Sequence, residues 1–100
     1  MKITKNQNGN SLCLALEGRL DTNTAPELEN TIKGAIDGVE ELTIDMADLD
    51  YLSSAGLRVL LGAQKIMNKQ GSMRVIHVND TIMEIFEVTG FADILTIEKA

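Results

Sequence analysis

One hundred residues, 44% of them apolar, carry a formal net charge of −6 and a single cysteine, Cys13. The length and apolar share describe one domain over residues 1–100 and exclude a disordered chain, and one cysteine excludes an internal disulfide. The acidity argues against nucleic acid and against anionic membrane surfaces, both of which call for clustered Lys and Arg.

Met1 to Lys5 reads as a short edge strand with no apolar signal region. No apolar run approaches the length of a membrane span, so the reading is a cytoplasmic protein without membrane insertion. In the polar turn that follows, Asn8-Gly9 supplies the positive φ of a hairpin. Ser11 to Glu17 alternates, with Leu12, Leu14 and Leu16 on one face and Cys13 and Ala15 on the other. Both faces are apolar, which predicts an internal strand with Cys13 as a small buried hydrophobe. Gly18-Arg19-Leu20-Asp21 leaves the strand. Thr24-Ala25-Pro26-Glu27 then predicts a helix start, with Thr24 as cap, Glu27 closing a capping box and Pro26 in the first turn. Leu28, Ile32, Ala35 and Ile36 form its buried stripe and Gly38 its stop.

Glu41 to Met46 alternates again, with Leu42, Ile44 and Met46 on one face. From Ala55 to about Asn68 nearly every turn carries apolar groups, which predicts a helix covered on more than one side. Met73 to Val78 is the next strand, and Asn79-Asp80-Thr81 offers N-caps for a third helix with Ile82, Ile85, Phe86 and Thr89 as its stripe, closed by Gly90. Ile94 to Glu98 is a last short strand. The order ββαβαβαβ predicts an α/β fold: a mixed, mostly parallel sheet with an antiparallel N-terminal edge strand and helices packed on it.

Between the third strand and the second helix stand Ser53 and Ser54. A serine there lies beside unpaired N–H groups and the positive end of the helix dipole, a place that suits an anion. Capping the helix is the plain alternative, and spacing alone favours it. Likewise Asp21, Thr22 and Thr24 read as a turn and cap as readily as contacts, Gly56 as a close helix–sheet approach, and Leu57 as core as readily as half of a docking pair with Arg58. Asp45, Asp48 and Asp50 hint at a metal loop, but a calcium loop starting at Asp45 would lack its turn glycine and would find Gly56 in place of its last glutamate; no metal or other cofactor is expected. His77, the only histidine, sits on a strand and reads as structural.

The ordering, the Gly18-Arg19-Leu20-Asp21 turn, the block Asp48-Leu49-Asp50-Tyr51-Leu52-Ser53-Ser54-Ala55-Gly56-Leu57 and the late Glu87-Val88-Thr89-Gly90-Phe91 turn resemble a STAS domain, and more narrowly the stand-alone anti-sigma factor antagonists of bacteria. The resemblance covers essentially the whole chain, and the serine block is its most specific part. It implies partner switching. The unmodified protein binds an anti-sigma factor that is also a serine kinase, a sigma factor is released, phosphorylation breaks the complex and a phosphatase resets it. The family's phosphoserine falls on Ser54, with Ser53 the second choice, and its acidic first-turn residue on Asp21. The implied contact face comprises Asp21, Thr22, Asn23, Ser53, Ser54, Gly56, Leu57 and Arg58. Asp21 would hydrogen-bond the serine hydroxyl or help to place the partner's catalytic groups. Two departures stand out: the family often has Asp before the phosphoserine, where this chain has Ser53, and often Ser or Thr after it, where this chain has Ala55. Relatives of the fold also serve unphosphorylated, as scaffold subunits in transport or stress-signalling assemblies, and that is the alternative reading. An enzyme using Ser54 as nucleophile is disfavoured, because no Gly-x-Ser-x-Gly elbow is present and His77 lies on a separate strand. The same holds for nucleotide hydrolysis, since no Gly-rich loop with Lys occurs. The expected state is a monomer or weak dimer.

Overall fold

The computed structural model describes residues 1–100. Five strands and three helices run β1 (Lys2–Asn8), β2 (Ser11–Leu20), α1 (Ala25–Ala35), β3 (Glu41–Leu52), α2 (Ser54–Gln70), β4 (Ser72–Val78), α3 (Asp80–Thr89) and β5 (Ile97–Lys99). The strands lie in sequence order, β1 antiparallel to β2 and the remaining pairs parallel. The expected α/β architecture and element order are therefore present.

Because each crossover steps one strand in the same direction, all three helices fall on one face of the sheet. That face supplies the core. Leu12 and Leu14 pair with Leu42 and Ile44, which pair in turn with Met73 and Val75. Leu28 and Ile32 of α1, Leu60 and Met67 of α2, and Ile82 and Phe86 of α3 close over them. The opposite face has no helix. Cys13 and Ala15, expected as a second buried face, are therefore only half-buried: β2 is internal by its neighbours and not by its faces. Partial burial still pushes the Cys13 thiol up from its ordinary value, with the Asp45 carboxylate adding to the effect.

Several details differ from the sequence reading, each for a physical reason. β1 continues to Asn8, so the hairpin turn is Gly9-Asn10, and the positive φ (61°) falls on its first residue. β2 and β3 run on to Leu20 and Leu52, because β3 absorbs register shifts opposite Ala15/Glu17 and Gly18/Arg19 and keeps its pairing. α2 buries Gly56, Leu57, Leu60, Ala63, Gln64 and Met67. It rests on β3, β4 and the flank of α1, but its outer side is open, and Ile66 is 37% exposed. Thr89 points its hydroxyl back to the Ile85 carbonyl (2.7 Å) and lies outside the α3 stripe. Residues 94–96 form no strand; β5 begins at Ile97.

Candidate functional site

The C-terminal ends of β2 and β3 release the chain side by side, into the turn before α1 and into α2. The two exits are tied directly: the Ser53 amide donates to the Leu20 carbonyl (2.9 Å), one residue before Asp21. Loops at the carboxyl ends of parallel strands are the usual place for a site in an α/β sheet.

The first exit is closed by Asp21. Its Oδ1 accepts from the amides of Asn23 (2.9 Å) and Thr24 (3.1 Å) and from the Thr24 hydroxyl (3.2 Å), while Oδ2 lies 3.8 Å from Arg19 Nε. The Thr24 amide above all holds the Asp21 carboxyl below its ordinary value. Desolvation opposes it, and the Asn23 amide, the Thr24 hydroxyl and Arg19 add to it. The Asp21 carbonyl accepts from the amides of Thr24 and Ala25. The expected Thr24–Glu27 capping box does not form. Thr24 is already in helical geometry, and its hydroxyl donates to the Arg19 carbonyl (2.7 Å) and accepts from the Asp21 amide (2.9 Å). Nor does Asp21 bond to either serine; its oxygens are committed to the turn.

The second exit is finished differently. Ser53 is the N-cap of α2 by its extended backbone, yet its side chain makes no cap hydrogen bond. Its Oγ is buried without a partner. Ser54, the first helical residue, is exposed. No acidic side chain stands in the first turn, in contrast to Glu27 in α1 and Asp80 in α3. Gly56 is buried against β2 and β3: a Cβ there would come within 2.6 Å of Leu20 Cγ and 2.8 Å of Leu52 Cδ1. Leu57, expected on the contact face, is turned into the core at 5% exposure. Thr22, Asn23 and Arg58 are exposed. The structure thus brings the expected residues to one edge, with Asp21, Thr22, Asn23, Ser54 and Arg58 open to some degree. It withdraws Leu57, the Ser53 hydroxyl and Gly56.

One feature of this edge was invisible in the sequence. Arg19 stacks over the Tyr51 ring at 4.2 Å from its centroid, and Tyr51 remains 38% exposed. The two residues are 32 positions apart, and only the shifted β2–β3 register sets them opposite each other. The acidic triplet of β3 does not converge. Asp45 Oδ1 accepts from the Ala47 amide (3.0 Å) and meets His77 Nδ1 at 2.9 Å, whereas Asp48 and Asp50 are exposed. Desolvation works against the Asp45 charge, but the Ala47 amide and His77 outweigh it and hold its carboxyl low. His77 keeps this contact from a left-handed backbone (φ 58°) at the irregular end of β4.

A family model described as Mlab, STAS domain, matches residues 3–96. The chain is 33% identical to BtrV of Bordetella bronchiseptica, whose name describes an anti-sigma factor antagonist, over 100% of this chain and 88% of that protein. It is 29% identical to the anti-sigma-B factor antagonist of Bacillus subtilis, over 97% of this chain and 90% of that protein. The same fold occurs in the anti-sigma factor antagonist SpoIIAA. Its unphosphorylated form aligns with a TM-score of 0.84 at 17% identity over 96% of this chain and 87% of that one. The phosphorylated form from Bacillus aligns at 0.76, also at 17% identity, over 96% and 90%.

Proposed function

The chain belongs to the STAS domain family, among its stand-alone anti-sigma factor antagonists, and from that premise we propose that it is a non-catalytic, phosphorylation-switched docking module of the cytoplasm. The unmodified protein binds an anti-sigma factor with serine kinase activity and so frees a sigma factor. The kinase then transfers the γ-phosphoryl group of ATP to Ser54 Oγ with loss of the hydroxyl proton, and the phosphoserine form is released. A phosphatase restores the hydroxyl. The chemistry belongs to the partner, for which Ser54 is a substrate.

The observation that carries this reading is the contrast between adjacent hydroxyls. Ser54 is exposed at the start of α2, while the Oγ of Ser53 is sealed off. Ser54 is therefore the acceptor. A phosphate there meets the positive end of the helix dipole, so the fold survives its charge. A partner that must cover the same spot does not tolerate it: a desolvated or like-charge contact of that kind costs about 2–5 kcal/mol. Phosphorylated SpoIIAA supports the reading, since it keeps the fold with the modification in place.

Incubation with the cognate anti-sigma factor and ATP, followed by intact-mass analysis, tests it. One phosphate is expected on the native chain and on Ser53→Ala, and none on Ser54→Ala. Ser54→Asp and Ser54→Glu are expected to bind the kinase roughly 30- to 1,000-fold more weakly. Undiminished binding by both acidic variants would remove the switch and leave a scaffold subunit.

A further inference from the structure

Arg58 stands four residues after Ser54 on α2, so the two side chains are neighbours on one helix face, both exposed. Of the three arginines, Arg19 is held by Asp21 (3.8 Å) and Arg74 by Glu98 (3.4 Å), whereas Arg58 has no carboxylate within 4 Å. The one acid that shares a recess with it is paired elsewhere. Glu29 lines the same recess between α1 and α2, together with Thr22 and Pro26, but pairs along its own helix with Lys33 at 3.5 Å. In a chain with 15 acidic and 9 basic side chains, this guanidinium is left without a carboxylate partner one helical turn from the exposed Ser54.

Resting on the assignment of Ser54 as acceptor, we propose that Arg58 is the internal receiver of the Ser54 phosphate. An anion at position i with a cation at i+4 is the favourable orientation along a helix, and a guanidinium matches phosphate oxygens with two parallel N–H donors. Modification then acts twice on the docking edge. It adds a dianion, and it folds back the cation that, in the unmodified protein, reaches out toward a partner carboxylate. The first turn of α2, empty of acidic side chains, holds no competitor for that cation.

The test uses phosphoserine installed at position 54 during translation, so that it depends on no kinase. The second ionisation of the phosphate, ordinarily near pH 6, is followed by phosphorus NMR in the full chain, in Arg58→Gln and in Lys65→Gln. The last removes the same charge from the exposed side of α2 further along. The phosphate is expected to ionise at a pH about 0.3 or more lower with Arg58 present than in Arg58→Gln, with Lys65→Gln like the native chain and Arg58→Lys recovering part of the shift. Equal titrations of the native chain and Arg58→Gln overturn the pairing, as does an equal shift from Lys65→Gln, which would mark a general charge effect. A kinase that leaves Ser54 unmodified would overturn the assignment of the acceptor instead, and this titration is independent of that result.

Discussion

At the start of α1 the turn satisfies itself: the carboxylate of Asp21 holds the amides of Asn23 and Thr24, and the Thr24 hydroxyl ties the turn back to the Arg19 carbonyl. At the start of α2, reached across the Leu20–Ser53 hydrogen bond, the N-cap side chain is unused, the first turn has no acid and a serine stands exposed. The two exits leave the same sheet edge and share a solvent, so the difference lies in the local backbone, helical at Thr24 and extended at Ser53, and in the side chains it carries. A turn that satisfies its own donors is rigid and has nothing left to offer. A helix start that leaves its amides and dipole uncompensated is a worse cap and a better receiver of added negative charge. The α1 exit works as a frame, and the α2 exit as the part the frame presents.

The most damaging way to break this relation is to lift α2 from its seat. Gly56 lets the helix approach Leu20 and Leu52 at a distance that admits no side chain. Gly56→Val is expected to cost about 3 kcal/mol by overpacking, read as a lower midpoint in urea with an unchanged slope; a native-like midpoint would show that α2 is not seated on those leucines. A smaller break falls on the frame. Thr24→Ala removes the contacts of its hydroxyl with the Arg19 carbonyl, the Asp21 amide and Asp21 Oδ1, and is expected to cost about 1 kcal/mol. The Ser54 edge should stay in place, so kinase binding is expected to change far less than stability.

The charge of Asp21 sharpens the same contrast through pH. Folding holds its carboxyl below the ordinary value, chiefly through the Thr24 amide, so folding favours the ionised form. This contribution is complete above the unfolded carboxylate value of about 3.9 and is lost as pH falls through the lower folded value. Asp21→Asn keeps an oxygen acceptor but cannot ionise. It is expected to unfold at lower urea than the native chain at pH 7, with the gap closing as the pH falls below the unfolded value of about 3.9 and through the lower folded one. A gap that persists there would mean that the turn depends on geometry and not on charge.

Much of this architecture can be read from alternation and punctuation. Leu12, Leu14, Leu16 and Leu42, Ile44, Met46 announce two strands with one core face, and Asn79 caps α3 through the Ile82 amide as its position suggests (2.9 Å). What escaped was long-range. Asp48 and Asp50 interrupt the pattern of β3, so its continuation to Leu52 appears only when β2 is laid beside it with two shifts of register. Thr24-x-x-Glu27 has the letters of a capping box, but whether Thr24 caps depends on a competing acceptor five residues back, the Arg19 carbonyl. Cys13 and Ala15 look buried because side-chain type does not record that all crossovers fall on one face. At the serines, local pattern placed both at the helix start and could not say which hydroxyl faces water. That distinction is made by the backbone bond from Ser53 to Leu20.

The smallest expected effect tests the unfinished cap itself. At an ordinary N-cap, replacing serine with alanine costs about 1 kcal/mol, because the side chain holds an amide of the first turn. Here the Ser53 hydroxyl holds none and is buried without a partner. Its removal forfeits no hydrogen bond and relieves a desolvated polar group, a change that runs from neutral to stabilising. Ser53→Ala is therefore expected to match or slightly exceed the native urea midpoint. A loss near the ordinary cap value would show that in solution the hydroxyl turns back onto its helix, that both exits are finished alike, and that Ser54 owes its availability to exposure alone.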